Sequence, residues 1–213
     1  MADVCEILES MRPGFRPRNA LYFGCGVGRL LIPLAARVQE VSGVDISERM
    51  LEITRENLKA RGYSPVWLGT TLDRLPADAR YDLVHSFIVL QHIPVGQAVP
   101  IFGELLRRVS QDGIAVLHLT YSPASHPMNR WATHARAKFK GFVLRNGLLS
   151  SLVKLIKGRL PDPPMLMENF PLNEIFALLH DEGFNDVRVR PSFHGMRGIV
   201  IFAQRLPERD FRF

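Results

Sequence analysis

Short apolar runs alternate along this chain with stretches whose apolar residues recur at helical spacing. Val4 to Met11 reads as a short helix, closed by Pro13, Gly14 and Pro17. Leu21-Tyr22-Phe23 is a strand-like run. Leu30, Leu31, Leu34 and Val38 follow on one helical face, with Pro33 in the first turns, where its missing N–H is tolerated. Glu40 to Asp45 predicts a second strand. Ser47 then caps a helix reaching about Ala60, with Met50, Leu51, Thr54 and Leu58 on one face. Pro65 to Leu68, Tyr81 to Val89 and Gly113 to Thr120 predict three more strands, with a helix over Val95 to Val109 between the last two. Near the C-terminus, Asn173 to Glu182 predicts a helix closed by Gly183. Val187 to Pro191 and Gly198 to Gln204 predict two strands whose short connection makes them antiparallel.

This alternation predicts an α/β fold: a doubly wound, mostly parallel, seven-stranded sheet with helices on both faces and a late antiparallel strand. The fourth strand is apolar at its centre, as a strand covered on both sides should be. Ligands bind such sheets at the C-terminal ends of the strands, beside the switch point. The length suits a single domain over residues 1–213, interrupted by a helical insertion over 122–168.

Charge changes the picture at that insertion. From Gly113 to Pro161 there is no Asp or Glu, while Arg130, Arg136, Lys138, Lys140, Arg145, Lys154, Lys157 and Arg159 all fall there. The net charge of +6 therefore belongs to one segment rather than to the whole fold. Two amphipathic helices are expected in it, over Trp131 to Leu144 and Leu148 to Ile156, with cationic flanks of the interfacial kind. They suit a lid over an acceptor pocket that also touches an anionic membrane through residues 130–160. The large apolar residues between the basic ones weigh against a nucleic-acid grip. The two cysteines, Cys5 and Cys25, have no C-x-x-C partner, so neither a disulfide framework nor a metal site is expected. The N-terminus does not read as a signal peptide, and no apolar stretch reaches transmembrane length. Cytoplasmic localisation, with peripheral membrane contact at most, is the expectation.

The candidate chemistry sits after the first strand. Gly24, Gly26 and Gly28 alternate in a turn where bare backbone lets a ligand approach closely, and the following helix is expected to aim free N–H groups at it. A dinucleotide fingerprint would need glycine three residues after Gly26, where Arg29 stands. Asp45, at the end of the second strand, is placed to accept both hydroxyls of a ribose. Cys25 lies inside the turn, where small size is its merit. His92 follows the fourth strand at the ligand edge and is the one candidate base carried forward; Tyr121, His126 and His134 are weaker alternatives. His85 and His118 fall within strands and are expected to be satisfied in the core.

The stretches LYFGCGVGRLLIPLA, VSGVDISERMLEITRENL, YDLVHSFIVLQHIP and the closing Gly198 to Phe202 strand resemble the class I S-adenosylmethionine (SAM)-dependent methyltransferases, over about residues 19–121 and 168–205. The resemblance implies a Rossmann-like sheet, SAM as cofactor, and methyl transfer to O or N of a small-molecule or lipid-linked acceptor. A nucleic-acid methyltransferase and a SAM-binding protein without turnover are the alternatives. The resemblance also implies roles. Gly24, Cys25, Gly26 and Gly28 would underlie the methionine part and the ribose, Asp45 would hold the ribose diol, and Ile46 would line one adenine face. Thr71 and Leu72, with Thr70, would meet the adenine edge, while Ser86 and Gln91 would flank the methionine part. Tyr22 stands where the family has an acid near the methionine ammonium, and its phenol carries no charge at pH 7. Thr70 and Thr71 occupy the turn where an acid often takes the adenine amino group, with Asp73 slightly later.

Overall fold

The described strands form one seven-stranded sheet in the order β3-β2-β1-β4-β5-β7-β6. The computed structural model describes residues 2–63, 66–123 and 167–206. The elements are α1 (Ala2–Met11), β1 (Asn19–Phe23), α2 (Leu31–Ala35), β2 (Glu40–Val44), α3 (Glu48–Lys59) and β3 (Val66–Gly69). After these come β4 (Tyr81–Ser86), α4 (Val95–Arg107), β5 (Val109–Pro123), α5 (Leu172–Asp181), β6 (Asp186–Phe193) and β7 (Met196–Gln204). β3, β2, β1, β4 and β5 pair in parallel; β7 inserts antiparallel between β5 and β6. The expected fold class is therefore the observed one. The strand order reverses between β1 and β4, which opens a crevice at their C-terminal ends.

Two apolar layers cover the sheet. Leu21, Val84, Leu117 and Ile201 face α4 and α5, packing against Phe102, Leu105, Ile175 and Leu179. Tyr22, Leu83, Val116 and Phe202 face the other side, with α1, α2 and α3. On that side Ser47 caps α3 by accepting the Met50 N–H at 3.3 Å, and Leu51, Thr54 and Leu58 are buried. Met50, expected on the same face, is exposed.

Several elements differ from the sequence expectation. α2 ends at Ala35 rather than near Val38. The Arg37 N–H bonds back to Leu34, and the Arg37 guanidinium takes the Pro33 carbonyl, so the last turn tightens and the helix stops. β4 ends at Ser86, because Ile88 turns the backbone into the left-handed region at φ 59°. β5, β6 and β7 are longer than expected, and His194-Gly195 joins the last two. Pro65 and the helices expected within 131–156 lie outside the described residues.

Gly43, in the middle of β2, makes room for what lies beneath it. A Cβ there would come within 2.8 Å of Leu68 and 3.1 Å of both Cys25 and Leu31. Gly43→Ala should cost about 1–3 kcal/mol by overpacking. In a chain of this size that lowers the melting temperature by roughly 2–12 °C. Adding Cys25→Ala, which removes one of the three clashes, should return part of the loss in a thermal melt.

Candidate functional site

The turn after β1 is tied to the end of β2. The N–H groups of Gly24 and Cys25 both donate to the Val44 carbonyl, at 2.7 and 3.0 Å. The Gly26 N–H donates to one Asp45 carboxylate oxygen at 2.7 Å, and the other oxygen accepts the Ser47 N–H at 3.0 Å. Thr54, reaching up from α3, donates its hydroxyl to the Gly26 carbonyl at 2.6 Å. The Gly28 N–H bonds back to Cys25. Four amides of the turn are thus engaged within the protein, and α2 begins only at Leu31. These amides of the turn itself are spent on shaping it.

Glycine is required in this turn for two reasons. A Cβ on Gly24 would sit 2.2 Å from a Val89 methyl carbon, so the residue lets the loop after β4 close onto the turn. Gly26, at φ 54°, has nothing within 4 Å of a built Cβ and borders open space.

A cleft of about 1160 Å³ opens beside this turn at the C-terminal ends of β1, β2 and β3. Gly24, Asp45, Ile46, Thr70, Thr71 and Leu72 line it, joined by Asp73, Ile88, Val89 and His92. Ile46 is 91% exposed, a large apolar side chain laid bare on the cleft wall. The Thr71 hydroxyl bonds the Asp73 carboxylate and, as the largest cause, holds its pKa below the ordinary carboxylate value. Ile88 carries a left-handed backbone that costs a β-branched residue about 1–2 kcal/mol. The cleft also runs past His92 and Pro94 to Gln97 and Pro100 on α4.

Other expected site residues lie around rather than on this wall. Ser86 is buried and its hydroxyl has no partner. Gln91 is buried, its amide nitrogen 3.5 Å from His92 Nε2 and 3.7 Å from the Met167 sulfur, and its Oε1 has no partner. Burial, then the nearby Asp45 carboxylate, pushes the Cys25 thiol up to about 12, so it is an inert filler under the turn. The chain leaves along β5 and returns at the same edge, where the Glu168 N–H donates to the Gln91 carbonyl and Thr120 donates to Glu168.

Tyr22 is on the other face of the sheet. It pairs in register with His85, the two rings 4.9 Å apart, and both line a separate cavity under α1 and α2. Period-two alternation in β1 carries the signal for this, since Leu21 faces the opposite layer. Asp73 and Thr54 were legible only as an acid after the third strand and a buried-face threonine. The Thr71–Asp73 bond is local to its turn, whereas the Thr54 bond to Gly26 spans 28 residues and is tertiary. The histidines also differ from expectation. His118 Nε2 meets the Ser192 hydroxyl at 2.8 Å, but neither His118 Nδ1 nor His85 Nδ1 has a partner. Burial pushes both pKa values down to about 4, with His194 adding to the shift at His118.

Residues 20–113 match the protein family described as a methyltransferase domain. The ubiquinone biosynthesis O-methyltransferase of Rickettsia conorii is 27% identical over 109 residues, which are 51% of this chain and 37% of that protein. The malonyl-[acyl-carrier protein] O-methyltransferase of Erwinia pyrifoliae is 35% identical over 121 residues, covering 56% and 43%. The matched chain spans about two-fifths of the length of these curated relatives. Magnesium protoporphyrin IX methyltransferase from Synechocystis, solved with S-adenosylhomocysteine bound, superposes with TM-score 0.63 at 22% identity, over 96% of this chain and 81% of that one. The YcgJ protein of Bacillus superposes with TM-score 0.58 at 16% identity, over 97% and 100%. At these identities the superpositions establish a shared fold.

His85 makes the stability of the fold pH-dependent. Its folded pKa of about 4 lies below the unfolded value near 6.5, so between those limits the unfolded chain binds more protons. Stability from its neutral burial is present above pH 6.5 and is lost as pH falls toward 4, by about 3 kcal/mol. Thermal melts from pH 7 to 4 should show a steeper fall for the native protein than for His85→Phe. Parallel curves would contradict this.

Proposed function

We propose that this chain, whose residues 20–113 match a methyltransferase domain, transfers a methyl group from SAM to an oxygen or nitrogen of a small-molecule or lipid-linked acceptor. The observation that carries the reading is the convergence of Gly24, the Asp45 carboxylate and the exposed Ile46 on one cleft at the switch point. The relatives named for O-methylation make oxygen the favoured acceptor atom.

The residues of the cleft fit the cofactor. Each Asp45 oxygen already accepts one amide and retains a further lone-pair position, so the carboxylate can also receive ribose hydroxyls. Ile46 supplies an apolar face for the adenine. Asp73, steadied by Thr71, supplies the acid that the turn after β3 otherwise lacks and is suited to an amino group. Leu72 lies beside it. Gly26 leaves the space over the turn open for the methionine part, while Gly24 admits Val89 and Gly28 admits Thr54 and Ile32, with Cys25 packing beneath. The Ser86 hydroxyl and Gln91 Oε1 are buried and unpartnered, and we assign them to that end of the cofactor, which needs a local rearrangement to expose them. Tyr22 supports the turn from below rather than providing charge.

SAM, when bound, supplies an activated methyl group on its sulfonium. The protein's part is alignment and exclusion of water. A base is needed only for an acceptor that must lose a proton, and His92 on the cleft wall is the candidate. We take the chain as one domain, with 122–168 inserted where β5 ends. The basic stretch 130–160 suits contact with an anionic membrane surface, where each basic residue contributes about 1 kcal/mol. No described helix is long and apolar enough to cross a membrane. A peripheral, cytoplasmic enzyme fits these features.

Titration calorimetry with S-adenosylhomocysteine tests the reading. One-to-one binding is expected, and its absence at high micromolar ligand would remove the cofactor assignment. Asp45→Ala should weaken binding by about tenfold or more, since a charge-assisted hydrogen bond contributes about 1.5–3 kcal/mol. A second test is sedimentation with vesicles. Binding to anionic but not neutral vesicles, reduced by salt, is expected; equal recovery with both leaves the insertion as an ordinary lid.

A further inference from the structure

The cleft beside Asp45 is larger than one adenosyl cofactor needs. Pockets that enclose a drug-sized ligand measure about 300–1000 Å³, and this one is about 1160 Å³. Beyond Asp73 it continues between two walls. One is the loop that follows the β3 turn, through Leu75 and Ala77. The other is α4, where Gln97, Pro100, Ile101 and Glu104 line the cleft, with Arg108 just past the helix end. These residues stand at i, i+3, i+4, i+7 and i+11, so a single helical face forms that wall. From Gln97 to Glu104 it runs about 10 Å, at about 1.5 Å per residue.

The far end of this extension is tied to α4. Arg108 bonds Glu104 at 2.8 Å and donates to the Pro76 carbonyl, which joins the helix to the loop. Arg107 bonds the other Glu104 oxygen at 3.2 Å and Glu182 at 2.8 Å. Two cations and two carboxylates thus pair with one another, and the extension asks no charge of its occupant. Between Asp73 and these pairs, Leu75, Ala77, Pro100 and Ile101 present apolar surface. Asp73 is the residue assigned to the adenine amino group. A substituent on that nitrogen would pass Asp73 and enter the extension, and a singly substituted nitrogen keeps one N–H for the carboxylate to accept.

We propose that this extension is a second subsite of the cofactor cleft, which takes a compact, uncharged apolar group borne on the adenine amino nitrogen. The proposal rests on the cofactor reading and deepens it. A cleft closed against the adenine edge would reject any added group by overpacking. This one admits it, and Leu75, Ala77, Pro100 and Ile101 set which adenosyl ligands bind.

The probes are S-adenosylhomocysteine and its derivative benzylated on the adenine amino nitrogen, each titrated calorimetrically into the whole chain. The derivative should bind about threefold tighter than the parent, from part-burial of its ring. Nuclear Overhauser contacts are expected from the benzyl protons to the Ala77 and Ile101 methyl groups. Ala77→Leu, which narrows the extension, should remove the derivative's advantage and leave the parent's affinity within about twofold. The proposal is overturned if the derivative binds more weakly than the parent, if it binds without contact to Ala77 or Ile101, or if Ala77→Leu leaves its advantage unchanged. If neither compound binds, the cofactor reading has failed and this inference falls with it; if the parent alone binds, only this inference falls.

Discussion

The end of β2 holds the glycine turn, and the rest of the site depends on that attachment. Val44 offers one carbonyl to two consecutive amides, and Asp45 clamps Gly26 on one side and Ser47 on the other. One carboxylate thereby fixes both the turn after β1 and the start of α3. Thr54 closes the arrangement from α3. Charge-assisted bonds of this kind are among the stronger ones available to a backbone. The same atoms that shape the turn are the ones proposed to meet the ribose, so shape and binding cannot be altered independently at Asp45.

Much of the fold is legible in the sequence because its signals are local. Apolar runs of strand length, the Ser47 cap and the closing Gly183 mark elements whose boundaries follow from backbone chemistry. The alternation of these elements implies the doubly wound sheet. The length of α2 was not legible. Leu34 and Val38 continue the helical spacing, while the stop depends on Arg37 competing for the Leu34 and Pro33 carbonyls. The direction of the turn's amides was hidden for a similar reason. Their partners, Val44 and Asp45, come from another strand, and only the parallel register of β1 with β2 brings them into reach.

The candidate site was legible in part. The glycines and Asp45 follow from spacing, and Ile46 and the turn after β3 from the resemblance; Gly24, Asp45, Ile46 and the turn after β3 line one cleft. Tyr22 was placed by its distance from Gly24, which says nothing about its face of the sheet. Strand alternation sends it away from the cleft and against His85. In the proposed reading the acid near the adenine edge is Asp73, whose carboxylate the Thr71 hydroxyl bonds.

The central claim is that the cleft beside Asp45 holds the cofactor. A crystal structure of the chain grown with S-adenosylhomocysteine tests it most directly. The account predicts the ribose hydroxyls on the Asp45 carboxylate, the adenine against Ile46 with its amino group toward Asp73, and the methionine part over Gly24 and Gly26. A nucleoside seated elsewhere, for instance in the cavity floored by Tyr22 and His85, or density absent from the cleft at saturating ligand, would contradict it.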